Sequence, residues 1–307
     1  MSIVRIDWDT STGRETLRNV VRTTYNTTER EAVVEWKELF KDEKTEDYDT
    51  VVQRLAGLGA MTRTYEGQNY HIDTPKYGST KTYTQIKFTN GFRITEEMQK
   101  FNRIGLMKTL TSSLAQTMQE GKDIELAKMW NNVSSTTYAA GFDTLAIASA
   151  SHTLLDDAGT TYDNYLAGDL TVANIESALF YFDNAYDDQG NQFPHIPGML
   201  YVNPYLRMKA YKILKSDNQA LEMSNTINAF KQYDLKPFIY HRLSSSTAWG
   251  MLGQKSNKNF GPVVYTSQEP ELRTKDAPDS TRDIIVTSGQ MFIYGCPDPR
   301  LVYVGNI

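Results

Sequence analysis

Residues 95–118 read TEEMQKFNRIGLMKTLTSSLAQTM, and this stretch predicts a long helix around which the rest of the chain is arranged. Thr95 is a favourable N-cap residue, and two glutamates occupy the first turn, where the helix dipole favours negative charge. Apolar residues then recur every three or four positions on one face: Met98, Phe101, Ile104, Met107, Leu110, Leu114 and Met118. The periodicity continues to Trp130, with Gly121 as a candidate bend. Such a helix is about 50 Å long and predicts a structural spine.

Residues 1–60, before this helix, predict an arm rather than a domain. Thr28 and Glu31 have the spacing of a capping box. Three apolar residues follow at helical intervals: Val33, Trp36 and Phe40. The expected helix is short and amphipathic, and its apolar stripe is too small to form a core of its own. We therefore expect the arm to pack against something else.

Residues 61–94 predict an extended ribbon. Strands are expected at 61–65 and 70–73, before a turn that contains Pro75 and Gly78. From residue 80 the side chains alternate between two faces, as in a half-exposed strand. A two-stranded ribbon is marginally stable in water, so this one needs a surface to lie on.

The remainder of the chain mixes helices and strands. The expected elements are a loop at 139–168, a helix capped by Thr171, a turn at 187–190, a strand at 198–204, a helix at 206–214, and strands at 238–243, 247–252, 262–266, 284–287 and 290–295. In the helix at 206–214, Leu206, Ala210, Ile213 and Leu214 are expected to face inward. Helices and strands do not alternate strictly, which favours an α+β fold over a doubly wound sheet.

Composition excludes several classes of protein. The chain has 307 residues, of which 40% are hydrophobic and 22% charged, as in ordinary folded proteins. Its one cysteine, Cys296, excludes an intramolecular disulfide and a cysteine-rich zinc site. A net charge of -5 argues against strong, salt-dependent binding to nucleic acid. No apolar run approaches the ~20 residues of a membrane span.

The sequence contains no catalytic constellation. Its four histidines lack metal-ligand spacing, and phosphate-binding and nucleophile-elbow motifs are absent. Cys296 is expected to be a buried structural residue. The acidic cluster of Asp183, Asp187 and Asp188 is expected to be a solvated helix end and turn. We therefore predict no catalytic, cofactor-binding or metal-binding residues.

Charge differs between the arm and the ribbon. Residues 1–60 hold 9 basic and 12 acidic residues, whereas residues 61–95 hold 5 basic and 2 acidic residues. Complementary patches of this kind steer partners and fix register, although chance also explains differences of this size. The predicted inter-subunit contacts are Trp36, Arg63, Glu66, Lys76, Lys81 and Lys87.

The order of arm, ribbon, spine helix and mixed domain resembles the major capsid proteins of tailed double-stranded-DNA phages, which have the HK-ninety-seven-type fold. The stretches that carry the resemblance are 44–49 with 55–59, Tyr65–Gly67, Gly91–Met98, His152 followed by Leu170 and Thr171, Pro197–Pro204 with Ala210–Ser216, and Thr247–Leu252. Each stretch is weak alone, but their order spans nearly the whole chain.

The resemblance implies a structural subunit with no enzymatic activity. Subunits of this family assemble as hexamers and pentamers into an icosahedral shell that encloses double-stranded DNA. The implied divisions are an arm at 1–60, an extended loop at 61–94 that overlaps the adjacent subunit, a peripheral domain at 95–165 and 273–307, and an axial domain at 166–272.

The resemblance also implies partners and a location. The subunit binds copies of itself, a portal and cement proteins, and it contacts packaged DNA weakly and without specificity; no membrane partner is expected. Because the arm is short and starts at Met1, we expect a separate scaffolding protein. Assembly is expected in the cytoplasm of a bacterial host, and the product is the virion. The alternatives are an encapsulin-like shell that encloses protein cargo and an enzyme of unknown type.

Overall fold

The computed structural model describes residues 11–59, 61–101, 103–156, 159–216, 228–253, 261–277 and 282–306. The helices are α1 (Ser11–Glu31), α2 (Trp36–Leu39), α3 (Glu96–Lys100), α4 (Ile104–Asn131), α5 (Val172–Asp183) and α6 (Arg207–Lys215). The strands are β1 (Lys41–Lys44), β2 (Asp49–Leu55), β3 (Tyr77–Thr84), β4 (Ile86–Ile94), β5 (His152–Thr153), β6 (Thr161–Tyr162), β7 (Pro197–Val202), β8 (Lys236–Ile239), β9 (Trp249–Gly253), β10 (Val263–Asp276), β11 (Ile284–Gly295) and β12 (Val302–Val304).

The predicted spine helix is present but begins later than expected. Thr95 caps α3, since its hydroxyl oxygen accepts a hydrogen bond from the Met98 N–H at 3.4 Å. α3 ends after one turn, and α4 then runs for 28 residues, about 42 Å, with no break at Gly121. Phe101 lies between the two helices and is exposed, so its assignment to the buried face was wrong.

Two four-stranded sheets form the body of the subunit. The first has the order β1-β10-β11-β4, in which only the β1–β10 pair is parallel. The second has the order β12-β9-β7-β8, with β7 and β8 parallel. The strands predicted at 284–287 and 290–295 are one strand, β11, and β10 extends ten residues beyond the predicted end at 266. The α+β prediction is confirmed.

The core lies where α4 crosses between the two sheets. Trp130 near the end of α4 contacts Phe40 and Tyr201 at ring-centroid distances of 5.9 and 4.8 Å. A second cluster fills the space between the second sheet and the helices α5 and α6, around Phe182 and Trp249. Thr171 caps α5 as predicted, because its hydroxyl accepts from the Asn174 N–H at 3.2 Å.

The arm differs from its prediction. The helix expected to begin at Thr28 is reduced to the single turn of α2, and α1 instead ends at Glu31. Leu17, Val21 and Tyr25 are spaced at i, i+4 and i+8, so they form one stripe, which is buried against α4 and β11. The Tyr25 hydroxyl also shares a 2.6 Å hydrogen bond with Ser288. The apolar stripe of α1 is therefore covered by the body of its own subunit.

The ribbon also pairs differently from the prediction. Strands are absent at 61–65 and 70–73, and the hairpin consists of β2 and β3. β4 leaves this hairpin and pairs with β11. Gln85 marks the change, because its N–H donates to the Tyr48 carbonyl at 2.9 Å and its amide donates to the Tyr265 carbonyl at 3.3 Å. These two bonds lie where the chain passes from the hairpin into the first sheet.

Candidate functional site

The connection between β2 and β3, residues 56–76, is called the extended loop below, and its described residues, 56–59 and 61–76, are mostly exposed. Met61, Tyr70 and Ile72 expose nearly all of their side-chain surface. Large apolar side chains gathered on one exposed segment are typical of surfaces that bind another protein. The extended loop is therefore the leading candidate for a contact surface.

Local hydrogen bonds shape the extended loop. The Gly59 N–H donates to the Asp73 carboxylate at 2.5 Å, across the base of the loop. Backbone N–H groups of Gly59 and Thr74 lower the pKa of Asp73, because they stabilise its charged form. At the tip, the Gln68 N–H donates to the Tyr65 carbonyl at 3.0 Å, and Gly67 adopts the left-handed conformation that the turn requires.

The hairpin of β2 and β3 rests on the body through polar contacts. The Ser79 hydroxyl donates to the Phe142 carbonyl at 2.6 Å. The Lys81 ammonium donates to the carbonyls of Ala140 and Gly141. Burial lowers the pKa of Lys81. These bonds fasten β3 to the loop that follows α4.

A buried network of four charged residues, Arg54, Asp188, Asp298 and Arg300, fastens β2 and is called the ion network below. Arg54 Nη2 lies 2.5 Å from Asp188 Oδ1, and its Nε lies 3.3 Å from Oδ2. Arg300 Nη2 contacts Asp188 Oδ2 at 2.9 Å, and its Nε contacts both carboxylate oxygens of Asp298 at 3.0 Å. All four side chains are less than 10% exposed. Asp188 is thus held between two guanidinium groups.

The ion network corrects one sequence interpretation. Asp187 accepts hydrogen bonds within the predicted turn, but Asp188 is not solvated and binds two arginines. Burial acts to lower the pKa of Arg300, but the neighbouring carboxylates of Asp298 and Asp188 outweigh it and raise that pKa. Sequence reasoning missed this network, although Arg54 shares the inward face of β2 with Thr50 and Val52.

Asp143 and His152 form a second buried pair beside the hairpin. Nδ1 of His152 lies 2.6 Å from Asp143 Oδ2, and Nε2 lies 3.1 Å from the Ile147 carbonyl oxygen. Both ring nitrogens therefore face oxygen acceptors. Burial acts to raise the pKa of Asp143, but the bond to His152 and its charge lower that pKa below its ordinary value.

Replacing Asp143 by asparagine is expected to lower the free energy of unfolding by about 1.5–3 kcal/mol at neutral pH, because a charged hydrogen bond is lost. The native pKa of Asp143 is depressed, so its contribution is present above the ordinary value of 3.8 and is lost as the pH falls below it. Denaturant unfolding between pH 3 and 7 measures the difference. Asp47→Asn, at an exposed position, is the control. A gap between wild type and Asp143→Asn that stays constant down to pH 3 would contradict the assignment.

Two predicted contact residues lie elsewhere than expected. Trp36 is 2% exposed and packs beside Lys122, whose Nζ lies 4.3 Å from the ring centroid. The prediction that Trp36 anchors the arm on a neighbour was therefore wrong, because its apolar surface is already buried in its own subunit. Lys81 was likewise expected to contact a neighbour, but its ammonium is bound to carbonyls of its own chain.

The other four predicted contacts stay predictions. Arg63 and Glu66 lie on the extended loop, and the guanidinium carbon of Arg63 is 4.8 Å from the Tyr65 ring centroid. Lys76 lies at the end of the loop and is half-buried, whereas Lys87 is exposed on β4 in the first sheet. The structure thus brings Arg63 and Glu66 together and leaves Lys87 apart.

The residues considered for catalysis do not lie in surroundings that would activate them. Cys296 is fully buried, and burial raises the pKa of its thiol well above the ordinary value, so it is a poor nucleophile. Among the described residues, no three His, Cys, Asp or Glu side chains are grouped to hold a metal ion. Nor does any helix in the described ranges have the length and apolar character needed to cross a membrane.

A family model of phage capsid proteins matches residues 78–305, about three quarters of the chain. No curated protein sequence matches. Among solved structures, the virus-like particle from Pyrococcus furiosus has 10% sequence identity and a TM-score of 0.54, covering 94% of this chain and 98% of that chain.

Two phage structures have the same TM-score as the virus-like particle. The head structure of Helicobacter pylori bacteriophage KHP40 has 12% identity and a TM-score of 0.54, covering 89% of this chain and 91% of that chain. The procapsid of bacteriophage JBD30 has 8% identity and a TM-score of 0.54, covering 97% of this chain and 76% of that chain. At these identities the likeness is one of fold.

Proposed function

The chain belongs to the phage capsid protein family, and we propose that its subunits associate as hexamers and pentamers in an icosahedral shell around double-stranded DNA. As a capsid protein it is a structural subunit, not an enzyme, and its place is the virion. The encapsulin-like alternative is not favoured, because the matching family model is one of phage capsid proteins.

The observation that carries this proposal is the exposed apolar surface of the extended loop. Tyr70 and Ile72 are 89% and 87% exposed. Placing them on an adjacent subunit removes apolar surface from water at every contact of the shell. Because a closed lattice repeats each contact many times, modest interfaces suffice for a stable particle.

We propose that the first sheet and α4 form the peripheral domain and that the second sheet with α5 and α6 forms the axial domain. The division expected at residue 272 falls inside β10, which is continuous from Val263 to Asp276, so the proposed boundary moves to about residue 262. β12 pairs with β9, which supports assigning residues 302–304 to the axial sheet rather than to the peripheral return.

Negative-stain electron microscopy of the purified protein tests the proposal. We expect closed shells of uniform size. A preparation that contains only single subunits, at concentrations and salt conditions where relatives of the family assemble, would contradict it.

The remaining partners stay predictions. A portal, a scaffolding protein and cement proteins follow from the family resemblance, as does assembly in the host cytoplasm. The net charge of -5 supports weak, non-specific contact with packaged DNA. Strong phosphate binding would oppose movement of the DNA during filling.

A further inference from the structure

The β2–β3 hairpin meets the body at both ends of β2, in addition to the bonds that Ser79 and Lys81 make from β3. At its root, Tyr83 packs on Tyr265, with ring centroids 5.4 Å apart. Tyr83 pairs with Thr50, and Arg54 lies four residues farther along β2, roughly 13 Å toward the extended loop. The ion network therefore holds the hairpin near the point where the extended loop begins.

Between these two places the hairpin is separated from the body by a cavity of about 390 Å³. Its lining includes Val52 and Arg54 from β2, and Tyr265 and Asp298 from the body. Val52 packs against the cluster that contains Tyr83 and Tyr265, but the cavity interrupts the apolar contact between the hairpin and the body, and atoms across an empty space contribute little attraction. Polar bonds at the edge of the cavity therefore contribute to the angle of the hairpin.

On β2, Arg54 is the charged side chain that makes these bonds. Besides its two bonds to Asp188, its Nη2 donates to the Thr153 carbonyl at 2.9 Å. A planar guanidinium that binds a carboxylate through two nitrogens fixes direction as well as distance. Asp188 is itself held by Arg300, which is bound to Asp298, so Arg54 docks on a rigid acceptor.

We propose that Arg54, through Asp188, fixes the direction in which the extended loop leaves the subunit, and is thus a positioning residue for shell assembly. The inference rests on the proposed overlap of the extended loop with an adjacent subunit. Without Arg54 the hairpin stays attached through Tyr83 and through Ser79 and Lys81 on β3, but β2 loses its charged contacts with the body at the end that leads into the extended loop. A small rotation of the hairpin about the remaining contacts displaces the tip, because the loop continues for 21 residues beyond β2. The loop then misses its site on the neighbour.

Arg54→Gln and Arg54→Lys test this proposal. In Arg54→Gln, Asp188 keeps its bond to Arg300, so the body stays intact while β2 loses its charged bonds to the body. Lysine keeps the charge but not the two-nitrogen geometry. Arg30→Gln, at an exposed position on α1, is the matched control for charge.

Hydrogen exchange of the subunit measures docking of the hairpin directly. A two-stranded ribbon has little stability of its own, so its amides exchange faster once it leaves the body. For Arg54→Gln we expect about tenfold faster exchange in β2 and β3, with β7 and β9 unchanged, and an intermediate effect for Arg54→Lys. By electron microscopy, we expect Arg54→Gln to form at least tenfold fewer uniform shells than wild type. Arg30→Gln is expected to form as many shells as wild type.

Unchanged exchange in β2 and β3, or uniform Arg54→Gln shells at wild-type yield, would overturn the proposal. So would faster exchange in β7 and β9, since the ion network would then stabilise the whole body rather than direct the loop. If wild type itself forms no shells, the proposed function fails, whereas the exchange data still decide whether Arg54 fixes the hairpin.

Discussion

Replacing Trp36 by alanine is expected to lower the free energy of unfolding of the isolated subunit by about 3–5 kcal/mol, as for other large-to-small changes in protein cores. The indole is buried in the same core cluster as Leu39 and Trp130. Its ring lies under the Lys122 ammonium, a contact that further stabilises the native state. Denaturant unfolding of the unassembled subunit measures the loss.

Val33→Ala is the matched control for this change. Val33 lies three residues before Trp36 in the same segment, but it is 87% exposed, so its truncation is expected to cost less than about 0.5 kcal/mol. The result also separates two roles for Trp36. A Trp36→Ala subunit with wild-type stability that fails to form shells would show that the indole contacts a neighbour instead of the core.

The features that sequence predicted correctly are those decided by neighbouring residues. Thr95 and Thr171 were recognised as helix caps because a cap bonds to an N–H only three residues away. The apolar spacing of α6 placed Ala210 and Ile213 on its buried face for the same reason. Such patterns depend on local geometry, so they predict the same element whichever distant segments pack against it.

The errors arose where distant segments decide the structure. β4 was assigned to the ribbon because its alternation continues that of β3, yet it pairs with β11 almost two hundred residues later. Alternation reports that a segment is extended but not which strand it joins. The ion network was hidden likewise, since Arg54 and Asp188 are 134 residues apart. The stripe of Leu17, Val21 and Tyr25 in α1, in contrast, was visible in the sequence and was overlooked.

Burial and exposure, rather than position along the chain, therefore separate residues that hold the subunit together from those available to a neighbour. Both Trp36 and Ile72 are large apolar residues in the first quarter of the chain. Trp36 is inside the core, whereas Ile72 is 87% exposed on the extended loop. Their substitutions should affect different measurements, folding in one case and assembly in the other.

The double substitution Tyr70→Asp and Ile72→Asp is expected to reduce the number of assembled shells at least tenfold and to leave the unfolding temperature of the subunit unchanged. Neither side chain contributes to a core of the subunit. In the proposed contact, two carboxylates would have to leave water for an apolar surface. A loss of about 1.4 kcal/mol is already tenfold in a single association constant, and each shell repeats the contact in every subunit.

Val33→Asp controls for the chemistry of this change, because Val33 is exposed to the same extent as Ile72 but lies outside the extended loop. We expect its shells to equal those of wild type in number and size, counted by electron microscopy after identical assembly. Equal losses in both variants would mean that added negative charge, not the extended loop, controls assembly. Normal shells from the double variant would show that the exposed apolar tip makes no essential contact, and the shell would then depend on other surfaces.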